Sequence, residues 1–200
     1  METIKIRLSG SGLVMHNGEL ANPFNPYTQK LKELNILKKR TGVDALETIS
    51  QMAEVEFQGG LYFDEGIGPY IPAFVARAVL VSGAKMSRGG KTVQRAVQCV
   101  GSRFPLRYEG ARTREGLWDD KKFVYQAMVK VGQSRVPRTR PIFPDWSCDV
   151  EFAFDPDGAN RDDILRWMTD GGNFEGIGDN RLNGFGRFSV AEIAMAAAAK

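Results

Sequence analysis

The sequence predicts an α+β fold with a β-α-β-β-α-β core and insertions, and three stretches predict it. Thr3 to Ser9 alternates Ile4, Ile6 and Leu8 with Lys5, Arg7 and Ser9, the two-residue period of a half-buried strand. From Pro72 to about Met86 the chain is almost wholly apolar except for Arg77, as a helix buried against a sheet must be. The last third reads strand, helix, strand. Residues 1–200 suit a single domain, large enough to bury a core without disulfides.

In chain order, the first strand is expected to run on through Leu13 to Met15. Residues 17–27 are dense in turn formers. Thr28 to about Lys39 places Leu31, Leu34 and Leu37 on one helical face. A second helix starts near Asp44, with Asp44 and Glu47 in capping-box positions, and ends near Glu54. Residues 16–54 therefore read as a helical insertion. A strand or hairpin is expected from Val55 to Phe63. Pro72 suits the first turn of the apolar helix, where its missing N–H costs nothing.

Ser87 to Lys91 reads as a turn and Thr92 to Val100 as a helix, and the stretch from Arg103 to Arg114 has little periodicity. Phe123, Tyr125, Val129 and Val131 alternate along a strand. Arg135 to Pro141 is extended, because residues before proline avoid the α region. Residues 85–140 read as a basic inserted arm. Cys148, Val150, Phe152 and Phe154 then alternate with Asp149, Glu151 and Ala153. Asp155 to Gly158 turns the chain, and Asn160 caps a helix with Asp162 and Asp163 in its first turn. A strand over 186–193 closes the order, and Ala196 to Lys200 read as a frayed tail. The order is the ferredoxin-like (RRM-like) pattern, in which one sheet face often binds single-stranded RNA.

The net charge of +3 conceals its distribution. Residues 1–84 carry −1, residues 85–140 carry +10 and residues 141–200 carry −6. Ten excess positive charges in one segment are the footprint of a polyanionic partner. Lys85, Arg88, Lys91, Arg95, Arg135, Arg138 and Arg140 are the candidate nucleic-acid contacts there, together with Arg77 of the preceding apolar helix. No apolar run reaches the length of a membrane span, and Met-Glu-Thr-Ile-Lys reads as strand rather than signal peptide. Two cysteines make no disulfide framework, which points to a reducing cytoplasm.

Catalytic patterns are sparse. The one histidine, His16, follows the first strand. No His/Cys cluster has zinc spacing, no P-loop occurs, and Gly184-x-Gly186 lacks the rest of a dinucleotide fingerprint. No metal or cofactor is expected. The densest punctuation lies between Gly171 and Phe188. Gly176, Gly178, Gly184 and Gly186 are interleaved there with Arg181 and Arg187, so an ordered loop is expected whose N–H groups and arginines face an anion or a neighbouring backbone.

Gly176-Ile177-Gly178…Arg181…Gly184-Phe185-Gly186-Arg187-Phe188 resembles the C-terminal glycine-rich loop of the CRISPR-associated RAMP superfamily. Tyr70-Ile71-Pro72-Ala73, entering a helix with Arg77, resembles that family's helix start, although Ala73 stands where the family has glycine. Within the superfamily the resemblance is to the guide-RNA-binding, Cas-seven-like backbone subunits, and the basic segment 85–140 then resembles their thumb insertion. It implies sequence-independent binding of single-stranded guide RNA, head-to-tail assembly with copies of the same chain, and contact with other effector subunits. Some such subunits cleave RNA with a loop aspartate after the first strand, but residues 17–27 hold Glu19 and no Asp. Two alternatives stand beside this: a stand-alone single-strand binder of a phage or mobile element, and an endoribonuclease acting through His16.

Overall fold

The computed structural model describes residues 1–41 and 45–194. Asp44 and the tail from Ala196 to Lys200 lie outside the described residues. The chain is α+β with antiparallel sheets. The main sheet has the order β4 (Val97–Cys99), β7 (Ser134–Phe154), β1 (Glu2–Val14), β8 (Phe188–Glu192), with β6 (Val124–Val131) pairing β7 beyond that path, and a small sheet has the order β2 (Phe63–Asp64), β3 (Gly68–Pro72), β5 (Arg103–Pro105).

β1 (Glu2–Val14) is the central strand, and β7 (Ser134–Phe154) pairs with it antiparallel from Glu2↔Phe154 to Val14↔Ile142. β8 (Phe188–Glu192) takes its other edge. β4 (Val97–Cys99) pairs the far side of β7 through Val97↔Phe154 and Cys99↔Phe152. Side chains alternate across a strand. Ile4, Ile6, Leu8, Cys148, Val150 and Phe152 are therefore on one face, all buried. Two helices cover it: α3 (Ala73–Met86), through Ala76, Val79, Leu80 and Ala84, and α6 (Arg161–Asp170), through Ile164, Trp167 and Met168. Asn160 caps α6 as expected, its side-chain oxygen accepting from the Asp163 N–H at 2.8 Å.

The opposite face is polar over most of its length. Asp149 accepts from Arg7 Nε at 2.7 Å and pairs with Arg107 Nη2 at 2.7 Å. The Arg7 hydrogen bond leads in holding the Asp149 carboxyl below its ordinary value. A depressed carboxyl contributes stability above its unfolded value, and that contribution is lost as pH falls through the folded one. Asp149→Asn should thus lower melting temperature near neutral pH and narrow its gap to the parent below pH 3.8, the ordinary value. A constant gap in thermal melts would contradict this. The odd-numbered positions of this face, Thr3 to Ser9, Ser147 to Ala153, Ser189 and Ala191, include no aromatic side chain. The base-stacking sheet face of RRM-type folds therefore has no counterpart here.

Toward the start of β7 the core extends to that side. Phe143 is an odd number of residues from Cys148, so it points away from α3 and α6. It packs on Tyr108 and Phe123, with ring centroids 4.9 and 5.7 Å away. α5 (Arg114–Asp119) and α2 (Ala45–Gly60) close this side through Leu117 and through Phe57, whose ring lies 5.3 Å from Trp118.

Several expectations are corrected. Val55 to Gly60 is not strand: α2 runs through it, and only β2 (Phe63–Asp64) follows, paired to β3 (Gly68–Pro72). The i, i+4 pair Ala53 and Phe57 lies on one helical face. The helix expected over 92–100 is α4 (Gly90–Ala96), ending where β4 joins the sheet edge. The aperiodic stretch after Arg103 contains β5 (Arg103–Pro105) and α5, which Thr113 caps. The extended segment 135–141 and the strand 148–154 are one 21-residue strand, whose first part forms a hairpin with β6 (Val124–Val131). α1 (Pro26–Thr41) packs on α2. Among the described residues, no helix is long and apolar enough to cross a membrane.

Candidate nucleic-acid interface

The glycine loop docks on the end of β1 through Gly186 and Asp179, while its middle, Arg181 to Gly184, is exposed. Gly186 has φ +70 and donates its N–H to the Gly12 carbonyl at 3.0 Å, and a Cβ there would run into the Ile177 carbonyl. The Gly176 N–H is used by the Gly171 carbonyl and the Gly184 N–H by that of Arg181. These three N–H groups are satisfied by backbone carbonyls, the second of the two partners expected for the loop. Gly178 fits because its Cα lies against the Val14 carbonyl. Arg187 is half-buried, with Nη2 3.4 Å from the Arg181 carbonyl and Nη1 beside Gly176. Arg181 remains exposed, 3.9 Å from Glu175.

Two of the candidate arginines are tied down. Arg138 Nη1 lies 2.8 Å from Glu56, a buried carboxylate on α2 that also accepts from the Thr139 N–H at 2.7 Å. Arg140 reaches both Glu56 at 3.5 Å and Asp179 at 3.3 Å, joining helix, hairpin and glycine loop. Their charges are largely neutralised in place. Arg135, near the hairpin tip, is exposed.

The other five candidates come together. Arg77 lies in α3 and donates to the Gln94 carbonyl of α4 at 3.1 Å. Lys85 lies in the last turn of α3, Arg88 lies in the turn that follows, and Lys91 and Arg95 are on α4, all four exposed. Among the described residues none of the five pairs with a carboxylate. A sequence reason underlies this: from Glu65 to Glu109 no acidic residue intervenes, while seven Lys and Arg occur. Arg88 has φ +64, a left-handed conformation costing a non-glycine residue about 1–2 kcal/mol. Arg88→Gly should raise stability by about 0.5–1 kcal/mol in denaturant melts while weakening nucleic-acid binding. A loss of stability would show that the side chain is held for folding instead.

An aromatic cluster adjoins these cations. Tyr62 packs on Tyr70 at 6.1 Å and edge-on to Phe74 at 6.2 Å, and Phe74 is 66% exposed. Phe74 also lines a shallow groove with Arg77, Ala78 and Lys85. On its other side, Tyr62 and Tyr70 wall a pocket of about 170 Å³ whose rim holds His16 and Asp179. Asp179 is shared with a further groove under the hairpin, lined by Arg138, Arg140 and Asn180. These features form a track in series: Asp179 joins the groove under the hairpin to the pocket, and the Tyr62–Phe74 contact joins the pocket to the groove beside Arg77 and Lys85. The motifs around Tyr70-Ile71-Pro72 and Gly176-Ile177-Gly178 meet in that pocket. Partial burial, then the Arg140 charge, lowers the His16 pKa below its ordinary 6.5, so the ring is neutral at pH 7.

No protein-family model matches the chain, and no curated protein does. One solved chain, described as "Cryo-EM structure of the Type III-B Cmr-beta bound to cognate target RNA", is similar at a TM-score of 0.47 and 12% identity. The match covers 98% of this chain and 62% of that one.

Proposed function

We propose that the protein binds single-stranded RNA, without reading its sequence, along the track from the β6–β7 hairpin to α4. The observation that carries this is the set of five cations, unpaired with carboxylates among the described residues, beside exposed Phe74 and half-buried Tyr62 and Tyr70. A basic groove interleaved with aromatics is how single strands are held irrespective of sequence. The finer reading is a backbone subunit that repeats along a guide RNA in a CRISPR-type ribonucleoprotein in the cytoplasm, supported by the two motif resemblances. The strand order β4-β7-β1-β8, with α3 before β4 and α6 before β8, supports a ferredoxin-like core. The hairpin tip with Arg135 is then the protruding part of the basic arm, and Arg181 a further phosphate contact.

Fluorescence anisotropy with a short labelled oligouridine tests the binding. Each neutralised phosphate contributes about −0.7 to the log–log salt slope of a single strand, so a slope of about −2 to −4 is expected. No binding at low salt would end the proposal. Assembly is the second arm. Head-to-tail contacts give open filaments, and the −6 C-terminal third complements the +10 segment of a neighbour. Sedimentation should show particles that lengthen with the RNA. Equal affinity for single-stranded DNA at one fixed size favours the stand-alone binder instead. RNA cleavage without added metal, lost in His16→Ala, favours the nuclease.

A further inference from the structure

We propose that the pocket walled by Tyr62 and Tyr70 takes one unstacked nucleobase of the bound strand. This rests on the RNA-binding reading and adds a site to it. At about 170 Å³ the pocket is below the roughly 300–1,000 Å³ of drug-sized sites, so a single flat ring system is the group it suits. Leu13, Ile71, Val75 and Ile177 make its lining apolar, as a base face requires and a phosphate does not. Asp179 is already paired with Arg140 at 3.3 Å, and none of the residues lining the pocket is a Lys or Arg that could hold a phosphate inside.

The polar groups at the rim fit base edges. Neutral His16 offers one donor and one acceptor, and Asp179 offers acceptors, matching the mixed donor and acceptor edges of unpaired bases. The walls are formed in advance. The Tyr62 N–H donates to Met15 Sδ at 3.1 Å, its carbonyl accepts from the Tyr70 N–H at 3.0 Å, and its hydroxyl accepts from the Gly18 N–H at 3.4 Å. Gly178 closes the opposite side against Val14. The pocket also lies midway on the track, with Arg140 to one side and Phe74 and Arg77 to the other, so a strand whose phosphates follow the cations can turn one base inward.

The test uses oligouridine carrying one 5-iodouridine, irradiated on the protein, with adducts mapped by mass spectrometry. The parent chain should give adducts on Tyr62 or Tyr70. Val75→Trp, which fills the pocket, and Tyr70→Ala, which removes a wall, should each lose those adducts. Each should also weaken binding about tenfold, the scale of one base–aromatic stack. The salt slope should stay unchanged, because no phosphate contact is removed. Should Val75→Trp not fold, Tyr70→Ala decides. Intact binding with adducts only outside Tyr62, Tyr70 and His16, or full affinity in both variants, overturns the pocket while leaving RNA binding standing. Absence of binding by the parent ends both.

Discussion

Arg88→Glu, Lys91→Glu and Arg95→Glu together should abolish RNA binding and leave the fold intact. The three side chains are exposed and unpaired with carboxylates among the described residues, so reversing them breaks no ion pair. Surface changes of this kind seldom cost more than about 0.5 kcal/mol. Binding loses three attractive charges and meets three repulsive ones, and affinity should fall by about a hundredfold or more at moderate salt. Arg138→Ala is the contrast. It takes a partner from the buried Glu56 carboxylate, so its main effect should be a lower melting temperature. A triple variant that binds as the parent does, with the same salt slope, would show that α3 and α4 do not face the nucleic acid.

Gly83→Val should be the most damaging single change to stability. Gly83 lies where α3 and α6 cross, and any Cβ there would strike the Trp167 carbonyl and the Gly171 N–H. Both obstacles are backbone, so no rotamer relieves the overlap. Overpacking a core typically costs 1–3 kcal/mol, and this site belongs at or above the top of that range, about 3 kcal/mol. For a chain of this size the melting temperature should drop on the order of 10 °C. Gly18→Ala is the control, since a Cβ there meets nothing within 4 Å. Equal melting temperatures for the two variants would contradict the crossing.

The parts of the fold legible in the sequence are those with local causes. The alternation of Ile4, Ile6 and Leu8 marks β1, the Asn160 cap marks the start of α6, and the apolar run after Pro72 marks α3. β4 was not legible, because Val97 to Cys99 become strand only by pairing with Phe152 to Phe154, more than fifty residues later. The end of α2 was mistaken for strand because Val55 and Phe57 are good strand residues that packing holds in a helix.

The site was legible in charge and only partly in geometry. Arg77, Lys85, Arg88, Lys91 and Arg95 do gather on α3, α4 and the turn between them. Arg138 and Arg140 were counted as free because their partner, Glu56, is eighty-two residues from Arg138. The glycine loop had two readings, facing an anion or a backbone, and for Gly176, Gly184 and Gly186 the backbone partner is the one found. The cluster of Tyr62, Tyr70 and Phe74 was missed, although two signals for it were present. The three aromatics fall within thirteen residues, and the acid-free run starts at residue 66.

Sequencing the nucleic acid bound to the protein, isolated from the cells that make it, tests RNA binding at its source. Single-stranded RNA of varied sequence is expected, released by high salt and lost from the Arg88, Lys91 and Arg95 triple variant. Protein free of nucleic acid, or carrying duplex DNA, would contradict it.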